Sequence, residues 1–351
     1  MKRLLLLALC ACEGLTTPPK PALSVLRRMP EGCFAPLTTS TPVAPDIQLD
    51  GLCSYQASPM LMAGVDEAVI VVDYGADVEL DTTTAVPPPV MTMTIDGAVS
   101  STPISISDPQ RIGARAYFLA TLRAPEVLSQ NVEISAQVNA GFATSLPEVF
   151  SLVPAPMNLT FAECPEPMAC ELPGAVGDAH VQISVTGEVE QTVTVRTAID
   201  GIEQPDAIVV DTHPGAGTST ATVAVPVPQA HDHAMWTVSA QLPVGPAPSI
   251  SALINAPQIA TRLSCAPACS LAPGDPVGLE ISAPAGIRAT QALVTTRVDG
   301  VPQLVAEPVT LAPGQDATTG ALALHAPSSG TWTIDVTVAG YSAPAIVQPI
   351  P

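Results

Sequence analysis

From about residue 90 the chain alternates between apolar and polar positions. The stretches VMTMTIDG, TVTVRTAIDG and LVTTRVDG each alternate and then end in Asp-Gly, with the aspartates at 96, 200 and 299. The residues one, three and five places before each Asp share a strand face. They are Ile95, Met93 and Met91, then Ile199, Thr197 and Val195, then Val298, Thr296 and Val294. Successive side chains of a strand point to opposite sides, so this period of two predicts a half-buried strand. Asp-Gly suits the two positive-φ positions of a tight turn, so a hairpin is predicted at each.

The hairpins recur at intervals of 104 and 99 residues, and other landmarks keep step. Cys164 and Cys170 precede the second Asp-Gly, Cys265 and Cys269 the third, and Cys170 to Cys269 is again 99 residues. MWTVSAQL around Trp236 and TWTIDVTV around Trp332 lie 96 apart, and AYFLATL around Tyr117 is the expected counterpart in the first copy. VEISAQV near 132–138 and SISALIN at 249–255 follow these strands, and SAPAIVQPI closes the chain. Repetition at a near-constant interval marks tandem units. The expected modules are residues 31–153, 154–258 and 259–351.

The third copy divides into seven short runs separated by Pro, Gly or Asp: ATRLSC, VGLEISAP, QALVTTRV, QLVAEPVTL, TGALALHA, GTWTIDVTV and SAPAIVQPI. Seven strands in about 100 residues, with no helical-period segment, resemble the immunoglobulin-like or fibronectin-type-III-like β-sandwich. The expected fold class is therefore all-β, with three tandem antiparallel sandwiches over residues 31–351. The antibody signature is missing, because both cysteines of each pair lie near the module's start. The resemblance implies an architecture and no chemistry.

At the N-terminus the pattern is different. Met1-Lys2-Arg3 is basic and Leu4 to Leu9 is apolar. A spanning helix needs about 20 apolar residues, so this segment is a targeting signal. The following residues resemble a bacterial lipoprotein signal peptide, in which a small residue precedes the cysteine that receives the lipid. Leu9-Cys10-Ala11-Cys12 places Ala11 before Cys12, whereas the alternative register places bulky Leu9 before Cys10. The resemblance implies a signal peptide over 1–11, lipidation of Cys12, and a flexible tether over 12–30. An ordinary cleaved secretory signal is the alternative, and both readings export the protein. No other stretch is long and uncharged enough to span, so attachment to the lipid bilayer would be through the acyl anchor alone. The expected location is the cell envelope, at the outer membrane or cell surface.

Composition narrows the functional classes. Hydrophobic residues make up 47% of the 351 but aromatics only 3%, so the cores must be built from Val, Ala, Leu and Ile. The net charge is −20, from 12 Lys+Arg against 32 Asp+Glu. That leaves no basic patch for nucleic acid or anionic headgroups.

Outside the signal six cysteines remain, two per module: Cys33 and Cys53, Cys164 and Cys170, Cys265 and Cys269. Six cysteines allow 15 connectivities, and one pair per repeat makes local pairing the economical arrangement. Export favours disulfides. A zinc knuckle or redox site would want C-x2-C, which is absent. Such small loops would pin each module's first strand and entry loop.

Other chemistry is sparse. His231-Asp232-His233, with His213, is a candidate transition-metal cluster, although it falls in what reads as a loop before Trp236. The first module has 43 residues from Cys53 to its Asp-Gly aspartate, against 30 in the others. That excess holds Asp73, Asp77, Glu79 and Asp81 in VVDYGADVELD, candidate hard-oxygen ligands for calcium. No catalytic or nucleotide-binding motif occurs, and Asn158-Leu-Thr160 is treated as a chance glycosylation sequon. The combined expectation is an exported lipoprotein with a structural, adhesive or ligand-binding role, no catalysis and no cofactor. Its partner would be another envelope protein or an extracellular ligand. The alternatives are a calcium-dependent adhesive rod, and either the accessory domains of a secreted hydrolase or the hydrolase itself.

Overall fold

The computed structural model describes residues 20–29, 32–37, 58–74, 86–112, 115–137, 144–164, 170–187, 189–265 and 269–351. All regular structure among them is strand. They form two compact units: one reaches Ala155 and includes Gly187–Val189, the other comprises Pro156–Thr186 and Glu190–Pro351.

The first unit holds module 1. Its strands are β1 (Ala22–Arg28), β2 (Phe34–Pro36), β3 (Met60–Met62), β4 (Glu67–Asp73), β5 (Val90–Ile95) and β6 (Ala98–Val99). Then come β7 (Ser105–Ile106), β8 (Gln110–Ile112), β9 (Arg115–Arg123), β10 (Ser129–Gln137) and β11 (Glu148–Val153). One sheet runs β2-β1-β4-β9-β7, with β8 also on β9, and the other β3-β11-β10-β5-β6. The tether expected over 12–30 therefore needs correcting, because from Ala22 the chain is a strand. Leu23 and Val25 are 2% and 1% exposed, and β1 pairs along its length with β4. Apolar residues on both faces of ALSVLRR outweigh the prolines before it. Likewise β4 has five consecutive buried residues rather than an alternation. The outer face of this sheet carries a second small core, in which Leu26, Val71 and Tyr117 pack with Phe34 and Leu119.

Module 2 contains β12 (Met157–Phe161), β13 (Glu171–Pro173), β14 (Asp178–Thr186), β15 (Thr192–Ile199) and β16 (Ile202–Asp211). β17 (His213–Pro214), β18 (Thr218–Pro226), β19 (Ala234–Gln241) and β20 (Ser249–Asn255) complete it. Its sheets run β12-β14-β18-β17 and β13-β20-β19-β15-β16. Module 3 has β21 (Ala260–Leu263), β22 (Pro276–Pro284), β23 (Gln291–Val298) and β24 (Val301–Thr310). It continues with β25 (Ala317–His325), β26 (Gly330–Val338), β27 (Tyr341–Ser342) and β28 (Ile346–Ile350). Its sheets run β21-β22-β25 and β24-β23-β26-β27, with β28 on β26.

The strand order is immunoglobulin-like: first, second and fifth principal strands in one sheet, third, fourth, sixth and seventh in the other. In modules 1 and 2 a short parallel strand, β3 on β11 or β13 on β20, carries the first strand's continuation into the second sheet. β14 and β18 alternate exposed and buried residues almost throughout, as a sandwich with one wet face requires. Each fully buried Val or Leu contributes roughly 1.5–3 kcal/mol relative to exposure, so a core poor in aromatics still suffices. Trp236 supplements it by stacking on Phe161, with ring centroids 5.6 Å apart.

The register corrects one landmark. Trp236 lies opposite Ile199 and Trp332 opposite Val298, and in module 1 Val132 of β10 lies opposite Ile95. AYFLATL belongs to β9 in the other sheet, so Val132 rather than Tyr117 occupies the tryptophan position.

Candidate functional site

All three Asp-Gly turns have left-handed backbone at both positions, with φ of 49° and 82° at Asp96-Gly97, 49° and 80° at Asp200-Gly201, and 50° and 82° at Asp299-Gly300. Each aspartate is also latched to the sixth principal strand. The N–H groups of Asp96, Asp200 and Asp299 donate to the carbonyls of Asn131, Met235 and Thr331. In return, the Asp200 and Asp299 carboxylates accept the N–H of Met235 and Thr331, both at 2.9 Å. Module 1 inserts Ser129, whose hydroxyl donates to Asp96 at 2.8 Å and accepts the Asn131 N–H. The repeat seen in the sequence is thus a structural fastening. Its aspartates are occupied in holding the turn.

The histidine pair sits where module 2 adds to this fastening. His231 Nε2 lies 2.8 Å from Asp200 Oδ2, and His233 Nδ1 lies 3.0 Å from Asp232 Oδ2. Asp232 Oδ1 accepts the Ala256 N–H at 2.7 Å. A turn carries these residues, with His233 at φ 65°, and each ring contacts a different carboxylate. Hydrogen bonding to the Asp232 carbonyl, then the Asp200 carboxylate, raises the His231 pKa. The Ala256 N–H holds Asp232 below the usual carboxylate range. Among the described residues no three His, Cys, Asp or Glu side chains converge as a metal site. His213 lies in β17.

Disulfides join Cys164 to Cys170 and Cys265 to Cys269, each just after its module's first strand. Cys33 is disulfide-bonded; Cys53 and Cys12 lie outside the described residues. Of the acidic candidates, Asp73 ends β4 and pairs across the sheet with Ala22 and Tyr117. Asp77, Glu79 and Asp81 lie outside the described residues. Sequence reasoning missed Asp66, which is 6% exposed. Its Oδ2 accepts the Met62 N–H at 2.6 Å and sits 3.1 Å from Arg27 Nε, close enough to pair but not aligned as a hydrogen bond. Burial pushes this carboxyl up, against the opposing pull of Met62 and Arg27.

Modules 2 and 3 interlock. Gly177 donates its N–H to Gly286 O at 3.0 Å, and Arg288 donates its N–H to Ala175 O at 2.7 Å. Ala175 belongs to the core of module 3. Tyr341, in the final hairpin of module 3, accepts the Ala230 N–H on its hydroxyl at 3.0 Å. No side chain fits at Gly174, where a Cβ would stand 1.9 Å from the Tyr341 hydroxyl.

The open surfaces are sheet faces and edges. A groove of about 720 Å³ on module 3 is lined by Arg262, Glu280, Thr310, Thr319 and Gly320 among others. Arg262 and Glu280 pair with each other at 2.6 Å, so the groove offers shape more than chemistry. Five of the apolar groups most open to water lie on the strands following the Asp-Gly turns, Val99 at 76% exposed, Ile202 at 72%, Val209 at 65%, Val301 at 60% and Val305 at 71%; Leu146 at 71% and Val347 at 60% lie elsewhere. These residues have no motif. The legible signal was that IEQPDAIVVD and VPQLVAEPVT are long β-runs with no strict alternation.

No known family profile and no curated protein matches this chain. Among solved structures it is similar to the Yersinia pseudotuberculosis adhesin InvE, at 14% identity and a TM-score of 0.28, and spans 56% of that chain with 56% of its own. It is similar to the Escherichia coli adhesin FdeC at 10% identity and a TM-score of 0.29, over 84% of this chain and 94% of that one. The ectodomain of mouse nectin-like molecule 4 matches at 14% identity and a TM-score of 0.25, over 83% and 95%. Likenesses this distant carry no argument of their own, so the immunoglobulin-like assignment rests on the strand order and register.

Proposed function

We propose that this chain is an exported cell-envelope lipoprotein, anchored through Cys12, whose second and third sandwiches form a stiff pair presenting a protein-binding surface. The observation that carries the reading is the joint between modules 2 and 3. Paired backbone hydrogen bonds and a shared core residue, Ala175, fasten two consecutive sandwiches where a free linker would let them swing. Stiffness serves a spacer or adhesive element, since a binding face held at fixed reach loses less freedom on engagement. The charge of −20 suits a protein that must not adhere to its own copies or to anionic lipid. Export and anchoring rest on the N-terminal sequence. The test is fractionation of cells making the Cys12→Ser and Cys10→Ser variants, with crosslinking and recovery of partners from the wild type. Cys12→Ser should move the protein out of the membrane fraction while Cys10→Ser leaves it there. Retention of Cys12→Ser in the membrane would overturn the anchor, and an unchanged crosslink pattern on deleting modules 2 and 3 would overturn their role in binding.

A further inference from the structure

The two interlocked modules differ at one sheet edge. β16 and β24 are equivalent edge strands, each the last in its sheet. Along an antiparallel ladder the N–H and C=O of one residue point the same way, and neighbours alternate. Thr212 donates its N–H inward to Gln191 O, and Leu311 inward to Thr290 O. By that parity Ala207, Val209 and Asp211 of β16, and Pro308 of β24, turn their main chain outward. Val209 pairs with Thr194 and Pro308 with Leu293, and both lie eight residues after the glycine of their turn, so the two positions correspond.

Proline has no N–H to offer a further strand, and its presence on an edge blocks pairing. Module 3 is blocked there by Pro308 and has left-handed backbone at Ala306, φ 51°. Module 2 carries Val209 at the same place. The one proline of β16, Pro205, lies on the far side of the bulge that ends at Ala207. Residues 207–211, AIVVD, therefore form a regular edge with outward N–H groups at Ala207, Val209 and Asp211, and with Val209 65% exposed.

Charge selects the occupant. Residues 154–258 hold eleven Asp and Glu against one Arg, Arg196, and no Lys. Three of the acids, Glu203, Asp206 and Asp211, are exposed on β16 itself. Edge-to-edge pairing of two copies would bring these acids together.

We propose that the β16 edge of module 2 is a strand-addition site for an extended segment of a partner protein in which Lys or Arg alternates with aliphatic residues. Main-chain hydrogen bonds would supply affinity, Val209 an apolar contact, and the β16 carboxylates the selection for cations. This deepens the binding role proposed above and rests on it only for the existence of a partner. The assay needs purified full-length chain alone, so failure of export or anchoring leaves it unaffected.

The probe is a short fluorescent peptide of alternating lysine and valine, followed by anisotropy. It should bind wild type at low salt and weaken at high salt. Val209→Pro, copying module 3, should weaken it about tenfold or more, and Val209→Thr, which keeps the N–H, by less. Amide exchange at Ala207, Val209 and Asp211 of the wild type should slow in the complex, a readout independent of whether Val209→Pro folds. No binding by wild type, equal binding by a folded Val209→Pro, or unchanged exchange at those amides would each overturn the site. A wild-type dimer abolished by Val209→Pro would overturn the choice of occupant in favour of a second copy.

Discussion

Gly174→Ala is the sharpest test of the joint between modules 2 and 3. The added methyl would stand 1.9 Å from the Tyr341 hydroxyl, 2.7 Å from Tyr341 Cζ and 2.9 Å from an Ile254 methyl. Contacts that short must be relieved by moving something. Ile254 is in the core of module 2 at 0% exposed, so the tyrosine gives way. Its displacement strips the Ala230 N–H of its acceptor. Overpacking costs about 1–3 kcal/mol, and a stranded donor costs about as much again if it stays dry. Partial hydration of the opened joint brings the expected loss to about 2 kcal/mol. For two sandwiches melting as one unit, that lowers the midpoint by roughly 4–8 °C. Calorimetry of the full chain measures it, and an uncoupled joint should also split one transition into two. Tyr341→Phe removes the oxygen nearest the methyl, so adding Gly174→Ala to it should cost less than Gly174→Ala alone, a coupling that a double-mutant cycle reports. A midpoint within a degree of wild type, or strict additivity with Tyr341→Phe, would refute the account of the joint.

Two further outcomes follow from the charged groups. Asp66→Ala leaves the Met62 N–H without its acceptor and the Arg27 guanidinium without its paired charge, and should cost about 3 kcal/mol in urea unfolding; Asp66→Asn, which keeps an acceptor oxygen for Met62, should cost visibly less. The folded pKa of His231 is raised, so its contribution is complete below the ordinary histidine range near pH 6.5 and is lost as pH rises through the raised value. The melting difference between wild type and His231→Gln should therefore shrink between pH 6 and 8, and a difference that grew with pH would contradict the Asp200 contact.

The hairpins were legible because Asp-Gly is a local instruction: two positive-φ residues read the same way in any context. The Val132 register was legible too, had SAQ at 135–137 been matched to SAQ at 239–241, since both intervals equal the 104 residues between the turns. Aromatic character at Tyr117 pointed elsewhere, although aromaticity is a property of packing and register a property of spacing. The strand at Ala22 was hidden by its neighbours' prolines. Asp66 was hidden for another reason. It is an ordinary acid in the sequence, and only the turn Met62–Asp66 and the strand holding Arg27 make it buried.

Scaffold and function separate along the same lines. What the modules share among the described residues, namely the latched Asp-Gly turn, the alternating core strands and the first-strand cysteines, is accounted for by folding. Binding must then use what the modules do not share. Module 1 differs in the second small core on the outer face of its β1-β4-β9 sheet. Module 3 differs in proline at the outward position of its edge, and module 2 in the valine at that position together with nearly all its charge being negative. An unblocked edge invites pairing, so its persistence is explained either by a partner or by repulsion sufficient to keep it empty. The acids on β16 supply repulsion against an identical edge and attraction toward a cationic one, so the same three carboxylates guard the site and choose its occupant.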